Sequence, residues 1–334
     1  MALHCKFRRS YFPFAASILV SFFCPSDARA QIAIGEVNGS FPSDSGANTF
    51  HGYVVFLETS GRQYVPLVIA PSAGNCPQYN ALLLPTYQWA QQAGAFLALN
   101  GSFIDPEGEY KPGDCRLVFG PVKSNGVTVA PVAPRPDGKG NPALLFTRDG
   151  AASIKMATKT AVDASYNVVS GQWEAGPQLG SNGSLLIESG LIGADPLPAP
   201  EEVAPRTAVG LTQTGVLILV VIEGGPARSN GITLPYLAQL LKACDAYNAI
   251  NLDGGGSSTM TYLPDPRIPM QESLALYNAM KSSQSQDTPT FQFTQRDPRV
   301  PFATRASNLL PPGNLLYRPV GIHFGFALRQ VPKR

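Results

Sequence analysis

Charge is scarce in this sequence. Only 14% of its 334 residues are Asp, Glu, Lys or Arg, and the net charge is +2, where an average soluble protein carries about a quarter charged residues. Such a chain offers no basic field for a nucleic-acid backbone, so nucleic acid is excluded as a partner. Histidine is nearly missing, with three in all, of which His51 and His323 lie beyond the first thirty positions. Neither sits in a motif, which leaves a Ser/His/Asp triad without support. The G-x-S-x-G elbow, the Walker loop and the G-x-G-x-x-G fingerprint are absent too. No CxxC or histidine-rich spacing suggests zinc. Asp105 and Asp114 lie in loop sequence, but without EF-hand spacing they give no support for calcium. No cofactor and no metal is expected. Acid–base chemistry near neutral pH therefore falls to carboxylates.

What the chain has in abundance is glycine and proline, 32 and 31 residues, together with 44% hydrophobic residues. An apolar fraction of that size fills a core and rules out a disordered chain. The glycines follow no three-residue period, so collagen is excluded. The first thirty residues read as a leader. Lys6, Arg8 and Arg9 precede an apolar stretch at 11–23, and Ala28-Arg29-Ala30 supplies a small-x-small cleavage site. That stretch is shorter than the about 20 residues of a membrane span. The expectation is a signal peptide at 1–30 and a mature domain at 31–334, exported to the periplasm or secreted, with no membrane span after cleavage. Cleavage leaves Cys76, Cys115 and Cys244. In an oxidising compartment Cys76 and Cys115, both in Gly/Pro-rich sequence, are expected to pair. Cys244 falls in an amphipathic pattern and reads as a buried small hydrophobe.

Short apolar runs bounded by Gly, Pro, Asn or Asp recur at 53–57, 64–70, 95–99, 144–147, 185–188, 207–211, 216–222, 249–252 and 315–324. This is the punctuation of strands. Only 86–93 and 234–246 read as helices, the second from Leu234, Leu237, Leu240 and Leu241. The predicted fold is α+β, a mixed β-sheet core with few helices in a single domain. The stretches 131–142, 195–205, 264–299 and 311–313 read as loops or insertions. Each helix pattern leads into a strand ending in Leu, a polar residue and Gly: Leu99-Asn100-Gly101 and Leu252-Asp253-Gly254. Two related units would set Asn100 and Asp253 at equivalent strand ends facing one pocket.

The densest signal is 249–260, where an apolar strand ends in Asp253 and Gly254, Gly255 and Gly256 follow, then Ser257. Three glycines in succession cost about 1 kcal/mol each in chain entropy relative to alanine. Such a turn suits a close backbone approach or an anion-binding concavity. Asp253 beside it can serve as acid, base, nucleophile or sugar ligand, or simply cap a hairpin. Arg206 opens a strand in a charge-poor chain, and its planar fork fits a phosphate or carboxylate, or a structural ion pair. Glu223 ends the strand at 216–222 before Gly224-Gly225, either as a functional carboxylate or as an exposed hairpin end. Asn100-Gly101 is a site candidate or a plain turn.

Taken together, 251–260 (NLDGGGSSTM) resembles the signature of the phosphodiester glycosidase family. In the family's order, 98–103 (ALNGSF) is similar to its Asn-Gly-x-Phe segment and 175–183, with Gly176-Pro177-Gln178-Leu179, to its Gly-Pro-x-Leu segment. Pro205-Arg206-Thr207-Ala208 resembles its Pro-Arg-Thr-Ala segment, and Arg318-Pro319-Val320 its final strand. Glu223 departs from the aspartate usual there, and Ser102 from a glycine. The resemblance implies an exported glycosidase that hydrolyses a sugar phosphodiester at the glycosidic C1–O bond. Asp253 and Glu223 would be its catalytic pair, Arg206 and the Gly254–Gly256 backbone with Ser257 its phosphate holders, and Asn100 a ligand to a sugar hydroxyl. The rival readings are a non-catalytic module binding envelope polysaccharide, and a phosphodiesterase cutting P–O.

Overall fold

The run Val216–Ile222 (VLILVVI) has no polar alternation, so as a strand it must be covered on both faces. In the computed structural model it lies inside an eight-stranded sheet and is fully buried from Leu217 to Ile222. The structure describes residues 32–43, 46–59, 63–69, 76–77, 80–105, 110–132, 140–171, 186–192, 202–224, 229–265, 267, 290–297, 299–304 and 318–329. The leader, the 175–183 segment and the 311–313 turn lie outside these residues.

The order across the large sheet is Leu191–Ile192, Ile187–Glu188, Asn248–Asn251, Arg206–Leu211, Val216–Ile222, Gly46–Glu58, Ile32–Ser43 and Thr290–Gln295. On one face Ile218, Val220 and Ile222 pack with Leu234, Leu237 and Leu241 of the helix Leu234–Ala243. On the other, Leu217, Leu219 and Val221 share a core with two five-stranded sheets. One of those sheets is built on Leu97–Asn100, Met260–Tyr262 and His323–Leu328, the other on Asn141–Phe146 and Asn167–Ser170. This second cluster draws on all three sheets.

All nine expected apolar runs contain or adjoin strands, and the helix Thr86–Ala93 has the expected bounds. Three corrections follow. Every ladder between described strands is antiparallel, so the sheets are not mixed; with three α-helices among the described residues, the fold is mostly β. The second helix stops at Ala243, because Cys244 is its C-cap and Asp245 takes a left-handed φ of 67°. Part of the expected 264–299 loop is the edge strand Thr290–Gln295, which alternates Phe291 and Phe293 into the core and pairs with Ile32–Ser43. That partner strand escaped notice because Gly35, Gly39 and Pro42 read as turn residues. Its twelve-residue register with Gly46–Glu58, from Ile32 opposite Leu57 to Ser43 opposite Gly46, holds it extended.

Cys76 and Cys115 form a disulfide across 39 residues, with Cα atoms 5.6 Å apart. Cys244 is free and buried, and burial pushes its thiol pKa up. Closing a loop of that length removes unfolded-chain entropy worth about 4 kcal/mol. Replacing both Cys76 and Cys115 by Ser is therefore expected to lower unfolding free energy by up to about that amount in denaturant titrations, and added reductant to leave the double variant unaffected.

Candidate functional site

Two strand ends meet where the large sheet faces its neighbour. After Asn248–Asn251 the backbone is caught at once: the Leu252 N–H donates to Thr207 O at 2.8 Å and the Asp253 N–H to Gly101 O at 3.0 Å. Asn100, fully buried, closes the junction. Its Nδ2 donates to Asp253 O at 2.6 Å, while its Oδ1 accepts from Thr207 Oγ1 at 2.7 Å and from the Thr259 N–H at 3.0 Å. Asn100 and Asp253 thus share one place, as the paired helix–strand units suggested. The observed bonds of Asn100 all run to protein, however, rather than standing open for a sugar hydroxyl.

The residue Asp253 is partly exposed, yet protein surrounds its carboxyl group. Desolvation lifts its pKa to about 6, against the lowering pull of Ser257, Arg318 and the Gly254 N–H. The Ser257 hydroxyl acts on the carboxylate without a hydrogen bond of ordinary geometry in this conformation.

The triglycine departs from the expected anion cradle. Gly255–Ser257 is a tight 3-10 turn in which Gly255 takes φ 56°, a value costly for any side chain. Gly255 N–H donates to Pro205 O at 2.8 Å and Ser257 N–H to Gly254 O at 3.1 Å. The turn folds onto its own carbonyls and onto Pro205, so the Gly255 and Ser257 N–H groups are committed within the protein. Arg206 is similarly tied. It donates from Nη2 to Glu202 O at 2.9 Å and Glu202 Oε2 at 3.4 Å, and from Nε to Ile232 O at 3.4 Å. Its Nη1 lies 4.0 Å from where a Gly254 Cβ would stand. Arg206 therefore braces the turn, with one edge toward it.

Glu223 leaves Val216–Ile222 with its N–H donating to His51 O at 2.9 Å, and its own carbonyl accepts from Ser229 Oγ at 2.6 Å. Gly224 lies flush against the Pro205 ring, and Gly254 against the Pro205 carbonyl. Pro205 thus separates the two acidic strand ends. In the sheet order one strand lies between them, two spacings or about 10 Å at the backbone. The Glu223 carboxylate is buried, not an exposed hairpin end, and accepts from His51 Nδ1 at 2.7 Å.

Two groups went unnoticed in the sequence. The first is His51. Its bond to Glu223 raises its pKa, against burial, and its Nε2 lies 3.7 Å from Glu36, which pairs with Arg296. The guanidinium of Arg296 lies 5.5 Å from the Tyr53 ring centre and 5.2 Å from that of Phe302. A line of alternating charge thus crosses four neighbouring strand positions to Glu223. No local motif marks it, because its members come from four segments. The second is Tyr110 with Arg318, whose guanidinium carbon stands 3.3 Å from the Tyr110 ring centre. Burial raises the Tyr110 phenol pKa, Arg318 lowers it and Asp253 raises it, so all three act on one another. The family-like Arg318-Pro319-Val320 was the available signal.

His323, by contrast, is fully buried, stacks on Trp89 at 5.2 Å and is driven by burial to a pKa of about 3, neutral at ordinary pH. An open cavity of about 410 Å³ beside Tyr87, Gln91, Tyr262 and Phe302 includes neither Asp253 nor Glu223. Among the described residues, no group of three or more His, Cys, Asp or Glu is arranged to hold a metal ion. No helix among them is long and apolar enough to cross a membrane.

The chain has counterparts among known proteins. The phosphodiester glycosidase family profile matches residues 93–293, and the chain belongs to that family. A stretch of 57 residues, 17% of this chain, is 46% identical to the N-acetylglucosamine-1-phosphodiester alpha-N-acetylglucosaminidase of Bos taurus. A stretch of the same length and share is 44% identical to that of Homo sapiens. Each match spans 11% of the relative's length. The catalytic domain of the zebrafish N-acetylglucosamine-1-phosphodiester alpha-N-acetylglucosaminidase, auto-inhibited by its pro-peptide, has a similar fold. The TM-score is 0.56 at 18% identity, covering 90% of this chain and 89% of that one.

Removing the Asn100 side chain leaves Thr207, Thr259 and Asp253 groups unpaired in a dry place. Asn100→Ala is expected to lose on the order of 3 kcal/mol of stability in denaturant titrations. Asp253 has the opposite sign. Its folded pKa lies above the ordinary 3.8. The folded state therefore binds more protons between about pH 4 and 6, and stability falls as pH rises through that window. Asp253→Asn removes this penalty and is expected to stabilise the protein at pH 8 by on the order of 2 kcal/mol, with little gain at pH 4.

Proposed function

We propose that the protein is an exported hydrolase that releases a sugar from a phosphodiester by cleaving the glycosidic C1–O bond. The observation that carries this reading is Asp253, a carboxyl group with its pKa raised to about 6 on a clamped strand end. Such a group keeps its proton to a higher pH than an ordinary carboxyl group, up to about 6, and can give it up, which suits a general acid. The second carboxylate, Glu223, is oriented by His51 and held on the far side of Pro205. In the reaction Asp253 protonates the departing phosphate oxygen while the C1–O bond breaks. A water oxygen bonds to C1 and its proton passes to Glu223, leaving a reducing sugar and a phosphomonoester. Asn100 and Ser257 position Asp253, and Arg206 with the Gly254–Gly256 turn shapes the floor beneath it. The substrate class follows the family and the relatives' sugar-phosphodiester chemistry. Export is supported by the leader pattern and by the Cys76–Cys115 disulfide, a bond that persists in oxidising compartments.

The test is release of free reducing sugar from a panel of glycosyl phosphodiesters. Asp253→Asn is expected to lower kcat at least a thousandfold while remaining folded. The wild-type rate is expected to fall as pH rises through about 6, where the acid loses its proton. Saturable binding of envelope polysaccharide with no sugar release across the panel would support the binding-module reading instead.

A further inference from the structure

We infer that Arg318 and Arg116, arranged about Tyr110, form the anion subsite that takes the phosphate of the substrate. This inference rests on the reading of Asp253 as the acid, and it moves phosphate recognition away from Arg206 and the triglycine. Those groups are partly occupied: Arg206 bonds Glu202 and Ile232 through Nη2 and Nε, and the Gly255 N–H bonds Pro205. Arg318 differs. Its Nε is enclosed and makes no hydrogen bond, and among the described residues it has no carboxylate salt bridge. A buried guanidinium nitrogen without an acceptor is costly, and a phosphate oxygen is a fitting acceptor for it.

The geometry also orients the fork. With its carbon 3.3 Å from the Tyr110 ring centre, the Arg318 guanidinium is backed by the ring on one side. Stacking of this kind fixes the plane and leaves the N–H edges for a planar or tetrahedral anion. Arg116 approaches the same ring at 5.9 Å and pairs with Asp114 at 3.9 Å. It adds a second positive charge from the strand Cys115–Leu117. The first residue of that strand is bonded to Cys76, so the disulfide anchors the arm that carries Arg116. The positive charge of Arg318 also favours the ionised form of the Asp253 carboxyl through space. In the proposed subsite the diester's single negative charge faces Arg318, on the side of the site where Asp253 supplies the proton for the bridging oxygen.

The test separates binding from turnover by using dimethyl phosphate, an anionic diester with no sugar to release, and trimethyl phosphate as its neutral counterpart. Line broadening in phosphorus NMR, followed with the full-length mature protein, reads the affinity. The wild-type protein is expected to bind the anion and not the neutral ester. Arg318→Gln is expected to weaken binding at least tenfold, and Arg318→Lys by less, since it keeps the charge and loses the fork. Arg116→Gln is expected to cost a few-fold, the exposed Arg299→Gln, whose side chain pairs with Asp297, to leave the affinity unchanged, and Arg206→Gln, which disturbs the floor of the site, to cost less than Arg318→Gln. A circular-dichroism melt of each variant checks folding, and Arg318→Lys serves as the variant read if Arg318→Gln does not fold. Undiminished binding in a folded Arg318→Gln protein, loss through Arg206→Gln alone, or no binding by wild type would each overturn the subsite. Arg318-dependent binding without sugar release by the wild-type enzyme would sink the proposed hydrolysis and leave the subsite standing.

Discussion

One carboxamide joins the halves of this molecule. Through Asn100 the strand Leu97–Asn100 of the smaller sheet is bonded to Thr207 at the start of a large-sheet strand, to the Thr259 backbone and to the carbonyl of Asp253. Three hydrogen bonds from one fully buried side chain resist separation far better than the same bonds in water, because breaking any of them strands a polar group in a dry core. The position of Asp253 is therefore decided by sheet-on-sheet packing, not by the flexible triglycine beside it. The glycines let the backbone turn immediately after Asp253, with Gly255 in a left-handed conformation, and Pro205 receives the turn.

The scarcity of charge then has a structural meaning. In a chain with few ionisable groups each buried one needs a specific environment, and two different environments surround the two carboxylates. Asp253 is raised by desolvation, which outweighs the lowering pull of Ser257, Arg318 and the Gly254 N–H. Glu223 is bonded to an imidazole that is itself backed by Glu36 and Arg296. In the proposed mechanism these unlike environments divide the acid and base roles between the two carboxylates, without histidine as the proton carrier. Here His51 orients a carboxylate. Stability is given up for this arrangement, since a carboxyl group raised to about 6 disfavours the folded state above that pH.

Much of this was legible in the sequence, for identifiable reasons. Apolar runs such as Val216–Ile222 and the Asp253 motif are local patterns, and local patterns survive in one dimension. Asn100 and Asp253 were linked correctly because each ends a helix–strand unit of similar sequence. The hydrogen bonds of Asn100, Arg206 and the triglycine to Thr207, Glu202 and Pro205 were not legible, because such partners are set by packing and not by motif. His51, Glu36 and Arg296 were invisible for the same reason. They come from Gly46–Glu58, Ile32–Ser43 and the chain just after Thr290–Gln295, and only the antiparallel registers bring them into line. The antiparallel character of the sheets was likewise hidden, since strand punctuation does not reveal direction.

The central claim is that the bond broken joins the sugar carbon to oxygen, with Asp253 supplying the proton. Hydrolysis of a glycosyl phosphodiester in oxygen-18 water reads this directly by mass spectrometry of both products. Cleavage at C1–O leaves one labelled oxygen in the released sugar and none in the phosphomonoester. Label in the phosphate would show that P–O is the bond cut, and would contradict the claim.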